Sequence, residues 1–300
     1  MDGLSALHGS RCLVTGASGF IGPSVTEALL RQEAVVCAPR RSQLDLGNTS
    51  QVDAAVSEFA PQFVFHLASD GVNQPVPPEQ LRRSNVDGTI NLVRALARLD
   101  VPPRVVLLGS CVEYATKNGR ITETDPVEPY SDYGRTKVEA AALARQEGAG
   151  LAQAWVRLFN VYGPHDTSQR LLPHVVRQCR QGLPVETTGG EQLRDFTHVD
   201  DVAEGLLRLA ISLPARASWE VYNLGSGEAM RLRDFITEVA VALQEHGFNP
   251  DIRFGAKPYR AGEPMEYLPD ISKLRARLGW APSTPIGPGL RSTVSALLRP

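Results

Sequence analysis

The stretch Val14-Thr15-Gly16-Ala17-Ser18-Gly19-Phe20-Ile21-Gly22 constrains this chain more than any other, because it sets three glycines between a short apolar run and an amphipathic segment. Leu13 and Val14 read as the end of a strand, and Ile21, Val25 and Leu29 recur at helical spacing behind them. A strand that turns tightly at Gly16 into a helix presents bare N–H groups and a helix N-terminus to a dinucleotide pyrophosphate. Gly19 lets the backbone approach the phosphates, and Gly22 lets the helix pack close. Ser18, Phe20 and Ile21 are expected to belong to the same cofactor site.

Short β-branched runs at 11–14, 35–38, 63–67, 105–109 and 154–158 alternate with helix-like segments near 20–31, 50–59, 80–99 and 133–147. Such alternation predicts an α/β fold, a doubly wound parallel sheet with helices on both faces. After residue 165 the order loosens, with Pro173, Pro184, Pro214, Pro258, Pro264 and Pro269 cutting the chain into short pieces. The expected division is a cofactor domain over 1–165, with 194–224 returning to it, and a smaller C-terminal substrate lobe from 166–193 and 225–300. A chain of 300 residues that is 42% hydrophobic can bury such a core.

A formal charge of −2 gives no global attraction to nucleic acid or to an anionic membrane, so neither is expected as a partner. No apolar run approaches the roughly 18 residues of a membrane helix. Met1-Asp2-Gly3-Leu4-Ser5 does not read as a signal peptide, and a cytoplasmic location is expected. Cys12, Cys37, Cys111 and Cys179 lack disulfide-scaffold or zinc spacing, and His66, His165, His174 and His198 form no ligand set, so no metal is expected.

An acidic residue after the second strand would accept from a ribose 2′-hydroxyl, whereas arginine neutralises a 2′-phosphate. This chain has Arg40-Arg41-Ser42 there, which favours NADP(H) and leaves NAD(H) as the alternative; Asp45 and Leu46 fall where adenine would sit. Tyr133 and Lys137 stand four residues apart, on one face of a helix. An ammonium beside a phenol lowers its pKa, so Tyr133 is expected to exchange a proton with a substrate oxygen, and Ser110, ending the fourth strand, to hydrogen-bond that oxygen.

With these motifs the chain resembles the extended short-chain dehydrogenase/reductase family, in particular its nucleotide-sugar epimerases, dehydratases and reductases, which have a Rossmann sheet. The resemblance runs nearly the whole length. It includes His66-Leu67-Ala68, Asn85-Val86-Asp87-Gly88-Thr89, Arg157-Leu158-Phe159-Asn160-Val161-Tyr162-Gly163-Pro164 and Arg194-Asp195-Phe196-Thr197-His198-Val199-Asp200-Asp201. It implies that Leu67, Ala68, Asn85, Tyr133 and Lys137 join the cofactor site. It also implies that Asn160, Arg194 and Arg260 hold the diphosphate of a nucleoside-diphosphate sugar, which suits guanidinium forks. A homodimer through the helices near 80–99 and 133–147 is a further implication, and the loops 69–78 and 183–188 are expected to set sugar and base specificity.

Departures from the family pattern narrow the reaction. Val112 stands where the 4,6-dehydratases carry an acid/base glutamate, and Glu113, read as a strand residue, would point to the opposite face. Cys111 lies one residue before the cysteine position of the 3,5-epimerase/reductases and is expected to face away as a buried thiol. The favoured reading is an NADPH-dependent 4-ketoreductase of a nucleoside-diphosphate 4-keto-6-deoxyhexose, with Tyr133 as proton donor. The alternatives are an NAD-dependent 4-epimerase, a small-carbonyl reductase and a nucleotide-binding sensor without turnover.

Overall fold

The computed structural model describes residues 4–72, 76–166 and 169–299; residues 1–3 of the N-terminal stretch and 73–75 of the 69–78 loop lie outside the described residues. Six parallel strands form the central sheet: β1 (Arg11–Thr15), β2 (Val35–Cys37), β3 (Phe63–His66), β4 (Arg104–Ser110), then Ala152–Leu158 and Ser218–Leu224. Their order across the sheet is β2, β1, β3, β4, Ala152–Leu158, Ser218–Leu224. From β1 the chain goes first to one side and then to the other, so a crevice opens at the C-terminal ends of β1 and β3, where open α/β sheets bind ligands.

The inner strands read as unbroken apolar runs because both faces are covered. On one face α1 (Gly22–Arg31) and the helix Val199–Ser212 bury Val25, Leu29 and Leu206. On the other, α2 (Thr49–Phe59) and the helices Gly88–Ala97 and Asp132–Glu147 bury Val52, Leu92 and Ala140 against Trp155. This is the doubly wound Rossmann architecture.

The segment near 80–99 is not one helix. It runs as Pro78–Arg82, a π-helical turn Arg83–Asp87 and Gly88–Ala97. Asn85, fully buried in that turn, accepts from Ser69 Oγ (3.1 Å) and the Asp70 N–H (2.8 Å) and donates to the Asp70 carbonyl (3.0 Å) and Thr136 Oγ1 (3.0 Å). These partners hold the extra residue in the helix, a local widening that often accompanies functional sites.

The helices Leu171–Arg180, Leu232–Gln244 and Ile286–Leu298 close over a separate core around Val175, Phe235 and Leu290. A small sheet joins Met230–Arg231, Leu193–Arg194, Glu266–Pro269 and Gly119–Ile121, so a strand from the first half of the chain reaches this side. In the other direction, Leu274 of the helix Ser272–Leu278 packs into the core under the main sheet. Among the described residues no helix is long and apolar enough to cross a membrane.

Candidate active site

Gly16 adopts φ +75°, and a Cβ there would lie 2.5 Å from the Ala68 backbone nitrogen; at Gly22 it would collide with the Ala17 backbone. The turn between β1 and α1 therefore lies against the end of β3, leaving a smooth backbone cradle of the kind a pyrophosphate needs. The cleft it opens is lined by Gly16, Ser18, Gly19, Arg41, Asp45, Leu46 and Ala68, all expected from sequence, and by Thr15, Pro39, Leu44, Gly47, Ser69, Asp70, Arg83 and Ser84, which were not. The rule that ligands lie beyond the C-terminal ends of strands points to Ser69 and Asp70, which follow β3. Nothing in the local pattern marks Arg83.

Arg41 extends its guanidinium across the cleft, donating to Asp70 Oδ2 (2.9 Å) and Ser84 Oγ (3.1 Å). Arg83 pairs with Asp45 at 2.5 Å. Arg40 does not line the cleft and is exposed. Phe20, Ile21 and Leu67 pack against the core beneath the cradle, with the Arg170 guanidinium 4.4 Å over the Phe20 ring. Asn85 spends its amide on the loop and helix described above, so it supports the cleft wall from behind.

The helix Asp132–Glu147 begins where Ser131 Oγ accepts the Gly134 N–H at 3.1 Å. Its first turn carries Tyr133 and, one turn on, Lys137, whose Nζ donates to the Leu108 carbonyl at 2.9 Å and lies 5.9 Å from the Tyr133 ring centre. Ser69 and Ser110 both lie near enough to the Tyr133 phenol to draw its pKa down, so the three residues expected to share the chemistry are together. Their electrostatics differ from expectation. Burial pushes the Tyr133 phenol above its ordinary range rather than toward neutrality, and brings the Lys137 ammonium down to about 8. Desolvation disfavours each charged form and is the largest cause of both shifts. Behind them His66 bridges Thr15 Oγ1 (2.7 Å) and Thr89 Oγ1 (2.8 Å), and burial takes its pKa to about 3.

One reading of the segment after Ser110 is corrected. β4 ends at Ser110 and Cys111–Glu113 forms a 3-10 turn, so strand alternation does not govern Glu113. Glu113 is buried against Trp155 and Arg157. Cys111, in the same turn, packs against Tyr114, Ile121 and Phe159, and burial pushes its thiol up to about 12.

Arg194 pairs with Glu263 at 3.2 Å, and the charges of Arg194 and Arg260 both oppose the burial that raises the Tyr130 phenol. Glu263 also accepts from Gln192 Nε2 (3.0 Å) and from the Arg260 N–H (3.3 Å), drawing both arginine segments together. Asn160 donates to the Asp195 carbonyl at 3.0 Å, beside Arg194 in the chain. Among the described residues no group of three His, Cys, Asp or Glu side chains is placed to hold a metal ion.

Residues 12–225 match the model of the NAD dependent epimerase/dehydratase family. Among curated relatives, a dTDP-glucose 4,6-dehydratase of Neisseria meningitidis serogroup B is 26% identical over 95% of this chain and 92% of its own length. The solved structure of MoeE5 in complex with UDP-glucuronic acid and NAD superposes with a TM-score of 0.79 at 28% identity, over 95% of this chain and 98% of that one. RMD from Pseudomonas aeruginosa complexed with NADPH superposes with a TM-score of 0.81 at 25% identity, over 96% and 98%.

Proposed function

The chain belongs to the NAD dependent epimerase/dehydratase family, the extended short-chain dehydrogenase/reductases that work on nucleotide sugars with NAD or NADP, and from that premise we propose that it is an NADPH-dependent 4-ketoreductase of a nucleoside-diphosphate 4-keto-6-deoxyhexose. The observation that carries this reading is Arg41. Its fork lines the cleft just beyond β2, with Pro39 in place of a carboxylate that would accept from a ribose 2′-hydroxyl. Gly16, Ser18 and Gly19 fit the pyrophosphate, and Asp45 and Leu46 fit the adenine. Bound NADPH supplies the hydride.

Tyr133 gives the proton. A phenol raised by burial keeps its proton at neutral pH, the state that a reduction requires of its donor. Ser110 Oγ accepts the Val112 N–H at 3.4 Å, which leaves its own proton to donate to the substrate oxygen. Lys137, anchored on the Leu108 carbonyl, offsets the charge left on Tyr133 after transfer. Asn160, Arg194 and Arg260 hold the diphosphate, and the helices Gly88–Ala97 and Asp132–Glu147 form a homodimer interface. Val112 argues against the dehydratase reaction, because removing water from the sugar needs an acid/base group that valine lacks.

The test is loss of reduced-nicotinamide absorbance on mixing the protein with NADPH and a panel of nucleotide-linked 4-keto-6-deoxyhexoses. Stoichiometric loss with one carrier base is expected. No loss with any member, alongside tight cofactor binding, overturns the reductase and favours a 4-epimerase.

A further inference from the structure

Glu113 has no exposed surface, and it closes the turn that follows Ser110. Its Oε1 accepts the Ser110 backbone N–H at 2.7 Å, and its Oε2 accepts the Trp155 indole N–H at 3.0 Å and Arg157 Nε at 2.7 Å. Arg157 is also buried, its guanidinium 4.4 Å over the Tyr114 ring. The carboxylate fills the space left by Gly109, where a Cβ would come 2.5 Å from Glu113 Oε1. As a stability device such a pair is poor, since apolar residues of equal volume often serve as well. Its placement suggests another use.

Ser110 and Glu113 cap the turn reciprocally: the serine hydroxyl accepts from the turn and the carboxylate reaches back to the serine N–H.

We propose that Glu113 is a positioning residue of the reaction, pinning the Ser110 peptide so that its hydroxyl faces the substrate oxygen. The proposal rests on the roles given above to Ser110 and Tyr133.

The double variant Glu113→Gln/Arg157→Gln avoids stranding a buried arginine, and in it kcat is expected to fall roughly tenfold or more with KM and the Kd for NADPH nearly unchanged. Glu113→Asp draws back from the Ser110 N–H and is expected to lose roughly tenfold in kcat, again with KM nearly unchanged. Wild-type kcat in Glu113→Asp overturns the proposal, as does a loss in either variant that falls on KM and cofactor affinity as heavily as on kcat. Tyr133→Phe run alongside separates the two readings: retained turnover there overturns the catalytic assignment, whereas its loss with wild-type kcat in Glu113→Asp overturns only the role of Glu113.

Discussion

Gly134 lies so close to Val112 that a Cβ on it would meet the Val112 carbonyl oxygen at 2.7 Å and Pro129 Cβ at 2.8 Å. The missing side chain lets the first turn of the Tyr133 helix settle on the turn that follows Ser110. In an open helix Gly→Ala gains about 1 kcal/mol. Here overpacking costs about 1–3 kcal/mol and wins. Gly134→Ala is expected to lower the melting temperature and to depress kcat more than it changes KM, checked by calorimetry and steady-state kinetics.

Tyr133→Phe keeps the ring and removes the proton. We expect kcat to fall by roughly 10²–10⁴-fold with the Kd for NADPH nearly unchanged, since the cleft lining does not include Tyr133. Equal loss of cofactor affinity, read by nicotinamide fluorescence, would assign Tyr133 to binding instead.

Arg41→Ala tests the cofactor. A charge-assisted contact to a phosphate contributes about 1.5–3 kcal/mol, so the Kd for NADP is expected to rise by roughly tenfold to a hundredfold while that for NAD moves little. Titration calorimetry with both cofactors distinguishes this from a general loosening of the Asp70–Ser84 loop, which would weaken both alike.

His66 gives the stability a pH dependence. In the unfolded chain its imidazole takes up a proton near 6.5, and in the folded chain not until about 3. Between those values the unfolded state binds the extra proton, so folding stability falls with pH, by about 1.4 kcal/mol per unit; above 6.5 this group contributes no slope. Urea unfolding at pH 7 and pH 5 should show the drop in the wild type. His66→Asn, which does not titrate in this range, should lack this component.

Arg194→Ala is expected to weaken competitive inhibition by a free nucleoside diphosphate by roughly tenfold or more and to leave the bare nucleoside unaffected. Equal effects on both would place Arg194 away from the phosphates.

What could be read from the sequence was what short-range geometry controls. Gly16 is forced by a turn between adjacent elements, and Tyr133 and Lys137 by one helical repeat, so chain order alone places them. Glu113 was misread because the β-branched run before it suggests a continuing strand; the strand stops because Ser110 and Glu113 cap a turn whose stability depends on Trp155 and Arg157, more than 40 residues on. Arg194 and Glu263 meet across 69 residues, and no periodicity connects them. The π-helical turn was hidden for a similar reason: the apolar spacing runs on through 80–99, and the extra residue is held by the distant Thr136 and the 69–70 loop.

The buried amide of Asn85 touches the wall of the cofactor cleft with one end and the second turn of the Tyr133 helix with the other. The spacing between that cleft and the helix carrying Tyr133 is therefore fixed through one side chain, and on the function proposed above it is the spacing on which hydride and proton delivery to a single carbonyl depends.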